Sequence, residues 1–109
     1  MTVELPESIT AYFRADREGD PDAVAAAFTE NGTVKDEGKT HAGRDAIRQW
    51  KAGTAQKYTY TMEPLSVATR DGKTEVICHV VGDFPGSPVD LRFSFALAGD
   101  KIAALEVSV

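Results

Sequence analysis

The chain has 109 residues, which is enough for one domain with its own hydrophobic core and too few for two. Apolar residues make up 42% and charged residues 27%, a globular composition that excludes a disordered chain. The formal net charge of −5 argues against a nucleic-acid-binding protein, because phosphate binding requires clustered Lys and Arg.

The first half of the chain predicts three helices and one short strand. Apolar residues recur at helical spacing, and Asp20 followed by Pro21 is a typical helix start. Glycines follow each predicted helix end. The predicted elements are a helix from Leu5 to Gly19, a helix from Asp20 to Asn31, a strand from Thr33 to Asp36, a polar loop from Glu37 to His41 and a helix from Gly43 to Gly53.

The second half predicts a succession of antiparallel strands. Apolar and polar residues alternate there, and Asp71-Gly72 is a strong hairpin turn. The predicted strands run from Tyr58 through Val67 to Arg70, from Glu75 to Phe84, from Val89 to Ala98 and from Ile102 to Val109. Helices followed by a meander of hairpins indicate an α+β domain with its helices on one face of the sheet.

The last strand carries apolar residues on both faces, since Ile102 and Ala104 alternate with Ala103, Leu105 and Val107. The helices can cover only one face of the sheet. We therefore predict a homodimer in which a second subunit covers the other face.

Several classes of site are unsupported by the sequence. The single cysteine, Cys78, excludes an internal disulfide and a cysteine-cluster metal site, and the isolated His41 and His79 indicate no metal site either. Phosphate-binding and nucleophile-elbow motifs do not occur, so we expect no cofactor. Without a signal peptide or an apolar run of about 18 residues, we expect a cytoplasmic protein that contacts no membrane.

The order of elements and several short motifs resemble the nuclear transport factor 2-like (NTF2-like) superfamily, which includes SnoaL-like polyketide cyclases and ketosteroid isomerases. The resemblance covers nearly the whole chain and implies a single domain over residues 1–109. It implies that three helices pack on a curved, mainly antiparallel sheet and form a cone with a pocket for a small apolar molecule. The motifs are Tyr12-Phe13 through Gly19-Asp20, Ala25-Ala26-Ala27-Phe28, Gly32-Thr33-Val34, Gly43-Arg44-Asp45-Ala46-Ile47, and Phe93 to Ala98 followed by Gly99-Asp100-Lys101-Ile102.

The resemblance also implies two catalytic residues. Tyr12 has a spacing to Gly19-Asp20 similar to that of the isomerases' oxyanion-binding tyrosine, so its phenol would donate a hydrogen bond to a developing enolate. The alternative is a core tyrosine bonded to a carbonyl or a water. Asp36 falls on the position of the isomerase base, which moves a proton between carbons. The alternative is a surface aspartate in a turn.

A third catalytic candidate is Asp90, whose context Pro88-Val89-Asp90 resembles that of the isomerases' protonated aspartate. The strand from Asp90 to the final turn is longer here by an even number of residues, so Arg92 is an alternative match on the same face. The two can also pair as an ion pair, and an ionised Asp90 would not donate a hydrogen bond.

Four further residues are candidates for substrate binding. Asp16 falls on the apolar face of the first helix, so it either faces the pocket or caps backbone groups. His41 lies at the predicted pocket rim, where it either pairs with Asp36 or is simply solvated. Trp50 and Phe28 form either pocket wall or core, as do Phe13, Tyr58, Tyr60 and Met62.

These residues support two main hypotheses. The first is a cofactor-free enzyme that transfers a proton on a small apolar carbonyl compound, by isomerisation or aldol-type cyclisation, with Asp36 as base and Tyr12 as oxyanion donor. The second is a non-catalytic domain that binds an apolar ligand or a partner. An epoxide-hydrolase-like activity would need an Asp-Arg-Asp set, of which Asp90-Leu91-Arg92 offers only part. The sequence leaves open whether the protein is an enzyme.

Overall fold

The computed structural model of the protein describes residues 5–57 and 59–108, apart from the side chains of residues 54–57. No helix in this part of the chain is long and apolar enough to cross a membrane. The elements in chain order are α1 (Glu7–Glu18), α2 (Pro21–Ala26), β1 (Phe28–Asp36), β2 (Lys39–Ala42), α3 (Arg44–Lys57), β3 (Tyr60–Arg70), β4 (Lys73–Gly82), β5 (Val89–Ala98) and β6 (Lys101–Ser108).

The strands form one mixed, open sheet in the order β2-β1-β6-β5-β4-β3. Only β1 and β6 pair in parallel among the described strands, and the other neighbours are antiparallel. The register shifts between Pro64 and Ser66 and between Ala96 and Leu97, and such bulges bend a sheet. The predicted α+β class, with its meander from β3 to β6, is therefore confirmed.

The turn between α1 and α2 follows the predicted local chemistry. Gly19 ends α1 in the left-handed conformation, with φ of 67°. Asp20 caps α2, since its Oδ1 accepts a hydrogen bond of 3.1 Å from the backbone N–H of Ala23, and Pro21 is the first helical residue. This turn sets the angle at which α1 enters the inside of the sheet.

Several predicted boundaries differ from the structure. The strand predicted from Glu75 to Phe84 is observed as β4, Lys73–Gly82. The second helix ends at Ala26 instead of Asn31, because residues from Phe28 onward join β1 and pair with β6. The predicted polar loop contains β2, which forms a hairpin with β1. The third helix continues past Gly53 to Lys57. The predicted strand start at Tyr58 and strand end at Val109 lie outside the described residues.

The hydrophobic core lies between α1 and the inner face of the sheet. On β4, Val76, Cys78 and Val80 point inward and are buried, whereas Ile77 and Val81 lie on the opposite face. The largest fully buried side chains are those of Tyr12, Phe28, Phe95, Ile9, Ile47, Ile102 and Leu105. One end of this inner layer is left unfilled, and the cavity described next opens there.

Candidate functional site

A cavity of about 890 Å³ lies between the helices and the inner face of the sheet. One wall is apolar and comes from the sheet, while α1, α3, β3 and the β1–β2 hairpin supply polar and aromatic groups. The apolar wall consists of Met62, Val80, Val89, Leu91, Phe93 and Val107, and the opposing groups include Tyr12, Asp36, His41, Trp50, Lys51 and Tyr60. This volume is typical of small-molecule sites, and so is an apolar wall that faces polar groups able to orient a ligand.

Tyr12 of α1 lies at the inner end of the cavity and is fully buried. Its ring makes edge contacts with Phe28 and Phe95, which fix its position. Its hydroxyl is a buried polar side-chain atom without a hydrogen-bond partner in the described part of the chain. Burial, assisted by the negative charge of Asp16, raises the pKa of Tyr12 well above its usual value. The phenol therefore stays protonated and can donate a hydrogen bond at neutral pH.

Asp36 ends β1 beside the tight turn to β2, and it also lines the cavity. The indole N–H of Trp50, on α3, donates a hydrogen bond of 3.0 Å to Asp36 Oδ2. This bond holds the carboxylate in one orientation and leaves Oδ1 for other contacts. The structure thus brings Tyr12, Asp36 and Trp50 to one cavity.

A buried network of Asp16, Lys51 and Tyr60 lies next to Tyr12. Lys51 Nζ is 2.6 Å from Asp16 Oδ1, and the Tyr60 hydroxyl donates to the same oxygen at 2.8 Å. The side chains of Lys51 and Asp16 are only 5% and 4% exposed. Lys51 and Tyr60 line the cavity, and Asp16 lies behind them. Burial and the carboxylate of Asp16 raise the pKa of Tyr60, so its hydroxyl remains a donor.

The sequence analysis did not select Lys51 as a candidate site residue. Two signals pointed to it. Asp16 falls on the apolar face of α1, where a carboxylate requires a partner, and Lys51 lies one helical turn after the buried Ile47. Asp16 therefore neither faces the pocket directly nor caps backbone groups, the two roles considered from the sequence. It anchors a lysine instead.

The remaining predicted site residues are divided between the cavity and other places. His41 lines the cavity, with its ring 6.0 Å from that of Trp50. Phe28 is fully buried in the core, and its carbonyl oxygen accepts two hydrogen bonds from the guanidinium of Arg44. It contributes to the packing around Tyr12 and does not line the cavity among the described residues.

Asp90 and Arg92 lie on the outer face of the sheet, because they alternate with Val89 and Leu91, which line the cavity. Asp90 Oδ1 is 2.8 Å from Nδ1 of His79 on the neighbouring strand β4. The partner of Asp90 is thus His79, whereas the sequence suggested Arg92. Neither Asp90 nor Arg92 therefore lies in the cavity with Tyr12 and Asp36.

Comparison with known proteins identifies related chains. The family model of the SnoaL-like domain, which describes the sequences of that family, matches residues 9–105 of this chain. A candidate polyketide cyclase from Sinorhizobium meliloti is 38% identical, with 95% of each chain covered and a TM-score of 0.90. The epoxide hydrolase/cyclase-like enzyme SalBIII, described in pyran ring formation in the polyether salinomycin, is 30% identical over 93% of this chain and 86% of that one, with a TM-score of 0.77.

A more distant structure shares the fold alone. It is a protein with a ketosteroid isomerase-like fold from Catenulispora acidiphila, solved in complex with trimethylamine. The two chains are 22% identical over 97% of this chain and 87% of the other, with a TM-score of 0.84. Among curated proteins, no sequence matches the chain.

Proposed function

Because the chain belongs to the SnoaL-like domain family of the NTF2-like superfamily, we propose that its cavity binds a small apolar carbonyl compound and catalyses cofactor-free proton transfer on it. The observation that carries this proposal is the unpartnered, buried hydroxyl of Tyr12 in the same cavity as the carboxylate of Asp36. A buried polar group without a partner is costly, and a ligand oxygen would supply the missing acceptor.

Asp36 is the base in this proposal. Its carboxylate removes a proton from the carbon next to the ligand's carbonyl, and the electron pair of the C–H bond moves into an enolate. The protonated Asp36 then returns the proton to another carbon. In an aldol-type ring closure the enolate carbon instead attacks a second carbonyl, and the alkoxide formed on that carbonyl's oxygen takes the proton back from Asp36. Trp50 holds the carboxylate in place, and such positioning is a large part of general base catalysis.

Tyr12 is the oxyanion donor. The enolate oxygen carries the negative charge that develops as the proton leaves. A preorganised donor on a fully buried side chain stabilises that charge more than it stabilises the neutral carbonyl. The raised pKa of Tyr12 keeps its proton on the phenol during this step. Asp90 has no role in the proposal, because it lies outside the cavity.

The similarity to the S. meliloti and SalBIII proteins supports a ligand of the polyketide type, whose ketone groups have acidic neighbouring carbons. The largely apolar wall of Met62, Val80, Val89 and Leu91 fits the hydrocarbon part of such a ligand.

The test is hydrogen–deuterium exchange of the ligand in heavy water, read by NMR, after a thermal-shift screen of ketones and enones has found a binder. The wild type is expected to accelerate exchange at the carbon next to the carbonyl. Asp36→Asn is expected to retain binding and to lower the exchange rate by about 100-fold or more. Asp45→Asn, at an exposed site on α3, is the control and should behave as the wild type.

If Asp36→Asn accelerates hydrogen–deuterium exchange of the ligand as much as the wild type does, Asp36 is not the base. Ligands that bind both proteins without accelerated exchange in either would favour the non-catalytic binding domain.

A further inference from the structure

Lys51 is a lysine that is almost fully buried. It is 4% exposed in a domain whose other buried residues are almost all apolar. Removing an ammonium and a carboxylate from water costs about as much as their attraction returns, so a buried ion pair is weak evidence of a stabilising role. The pair also borders the cavity instead of the centre of the core, because Lys51 lines the cavity and Asp16 supports it.

We propose that Lys51 is a further catalytic residue, whose ammonium group binds the same ligand oxygen as Tyr12 and selects ligands that carry or develop negative charge on that oxygen. This inference rests on the proposed function. The ligand class it implies is a readily enolised ketone, such as a 1,3-dicarbonyl compound, whose enolate spreads its charge over oxygen.

The hydrogen-bond capacity of Lys51 supports a contact with a ligand. An ammonium group has three N–H donors. In the described part of the chain, one is accepted by Asp16 Oδ1 at 2.6 Å, and a second reaches the Tyr60 hydroxyl at the long distance of 3.5 Å. The third N–H has no oxygen acceptor in the described part of the chain and can bond a ligand in the cavity.

Lys51 Nζ also lies close to both of the proposed catalytic parts of the cavity. It is 4.3 Å from the ring centroid of Trp50, which holds Asp36, and 5.5 Å from the ring centroid of Tyr12. A ligand oxygen bound by Tyr12 would therefore have this ammonium group nearby.

The negative charges around the cavity explain why a buried positive charge would help an enolate to bind. The carboxylates of Asp36, Glu37 and Glu106 line the cavity, and that of Asp16 lies behind its wall. By themselves these negative charges would oppose an enolate. The other lysines that line the cavity, Lys35 and Lys39, are exposed to solvent, where their charges are screened. Among the described residues, Lys51 is the lysine buried at this wall. Its charge offsets part of the negative charge, and Asp16 and Tyr60 hold it in position.

The test compares two probes of similar shape, 4-nitrophenolate and 4-nitrotoluene. The phenolate imitates an enolate, because its negative charge is shared between oxygen and ring, whereas 4-nitrotoluene is uncharged. The wild type is expected to bind the phenolate more tightly. Lys51→Met should weaken phenolate binding by about tenfold or more, the effect of losing one charge-assisted hydrogen bond, with little change for 4-nitrotoluene.

Two further variants control for loss of the fold and for the removal of a lysine charge elsewhere. Lys51→Met leaves Asp16 buried without its partner, so the double variant Asp16→Asn/Lys51→Met, which has no buried charge, protects against loss of the fold. It should show the same selective loss. Lys73→Met removes an exposed lysine outside this cavity and should retain the wild-type ratio of the two affinities.

An unchanged ratio in both Lys51 variants would overturn the inference, because a purely structural lysine would affect both probes alike. Wild-type binding of 4-nitrotoluene without preference for the phenolate would also overturn it, while leaving the apolar cavity intact. Failure of the wild type to bind either probe would count against the proposed function as well.

Discussion

At the residue scale, the hydroxyl of Tyr12 decides between a structural and a functional tyrosine. A core tyrosine normally places its hydroxyl against a carbonyl or a water. Here the described residues offer no partner, although Asp16 and Asp36 are near enough to influence the pKa of Tyr12. Such an atom costs stability in the free protein and is most easily explained by a ligand.

We expect Tyr12→Phe to raise the free energy of unfolding by about 1 kcal/mol, because the change removes a buried donor without a partner. The same variant should lose the thermal-shift response to a ketone ligand. Tyr60→Phe is the matched control: it removes the hydrogen bond to Asp16 and should lower stability by about 1–3 kcal/mol. Denaturant unfolding measures both values. Equal destabilisation by the two substitutions would mean that the Tyr12 hydroxyl is bonded in solution.

At the element scale, the close approach of β3 and β4 brings Tyr60 to the cavity. Gly82 on β4 pairs with Tyr60 at the start of β3. A Cβ at position 82 would lie 2.5 Å from the Thr59 carbonyl oxygen and 2.6 Å from Tyr60 Cβ. Only glycine permits this approach, so the site depends on a residue that itself has no side chain.

Gly82→Ala is therefore expected to destabilise the protein by about 1–3 kcal/mol, since the added methyl group pushes β3 away. The displacement of Tyr60 should also weaken binding of the cavity ligand. Gly53→Ala is the control for the stability measurement, because Gly53 lies within α3 and a Cβ there meets open space. Alanine is the better helix former, so this change should stabilise by about 0.5–1 kcal/mol. A neutral Gly82→Ala would show that β3 can shift freely.

At the scale of the whole molecule, the helices cover one face of the sheet and leave the other exposed. Leu65 on β3 and Val81 on β4 are large apolar residues with substantial exposure, and Ile77 lies on the same outer face as Val81. Exposed apolar groups on a sheet commonly mark an interface. The homodimer through the sheet remains a prediction.

If the homodimer forms, analytical ultracentrifugation of the wild type is expected to give a mass twice that of one chain. Val81→Glu should shift the protein toward the monomer, because a carboxylate would be buried against the partner without a counter-charge. Ala26→Glu, at an exposed position on α2, should leave the assembly unchanged. A monomeric wild type at high concentration would rule out this interface.

The sequence by itself determined the features that depend on neighbouring residues. The helix start at Asp20, the end of α1 at Gly19 and the hairpin turn at Asp71-Gly72 follow from local chemistry, and the alternation along β4 and β5 follows from the period of a strand. The resemblance of short motifs to the NTF2-like superfamily selected Tyr12 and Asp36, and both line the cavity.

Only the tertiary structure decided the features that join distant parts of the chain. The parallel pairing of β1 with β6 lengthened β1 at the expense of α2, although the local sequence there favours a helix. Lys51 is separated from Asp16 by 35 positions, and Tyr60 from Asp16 by 44. Local periodicity carries no information over such separations, because it reports which face of an element is apolar and not which residue lies opposite. The partner of a buried charge is settled only when the elements pack together.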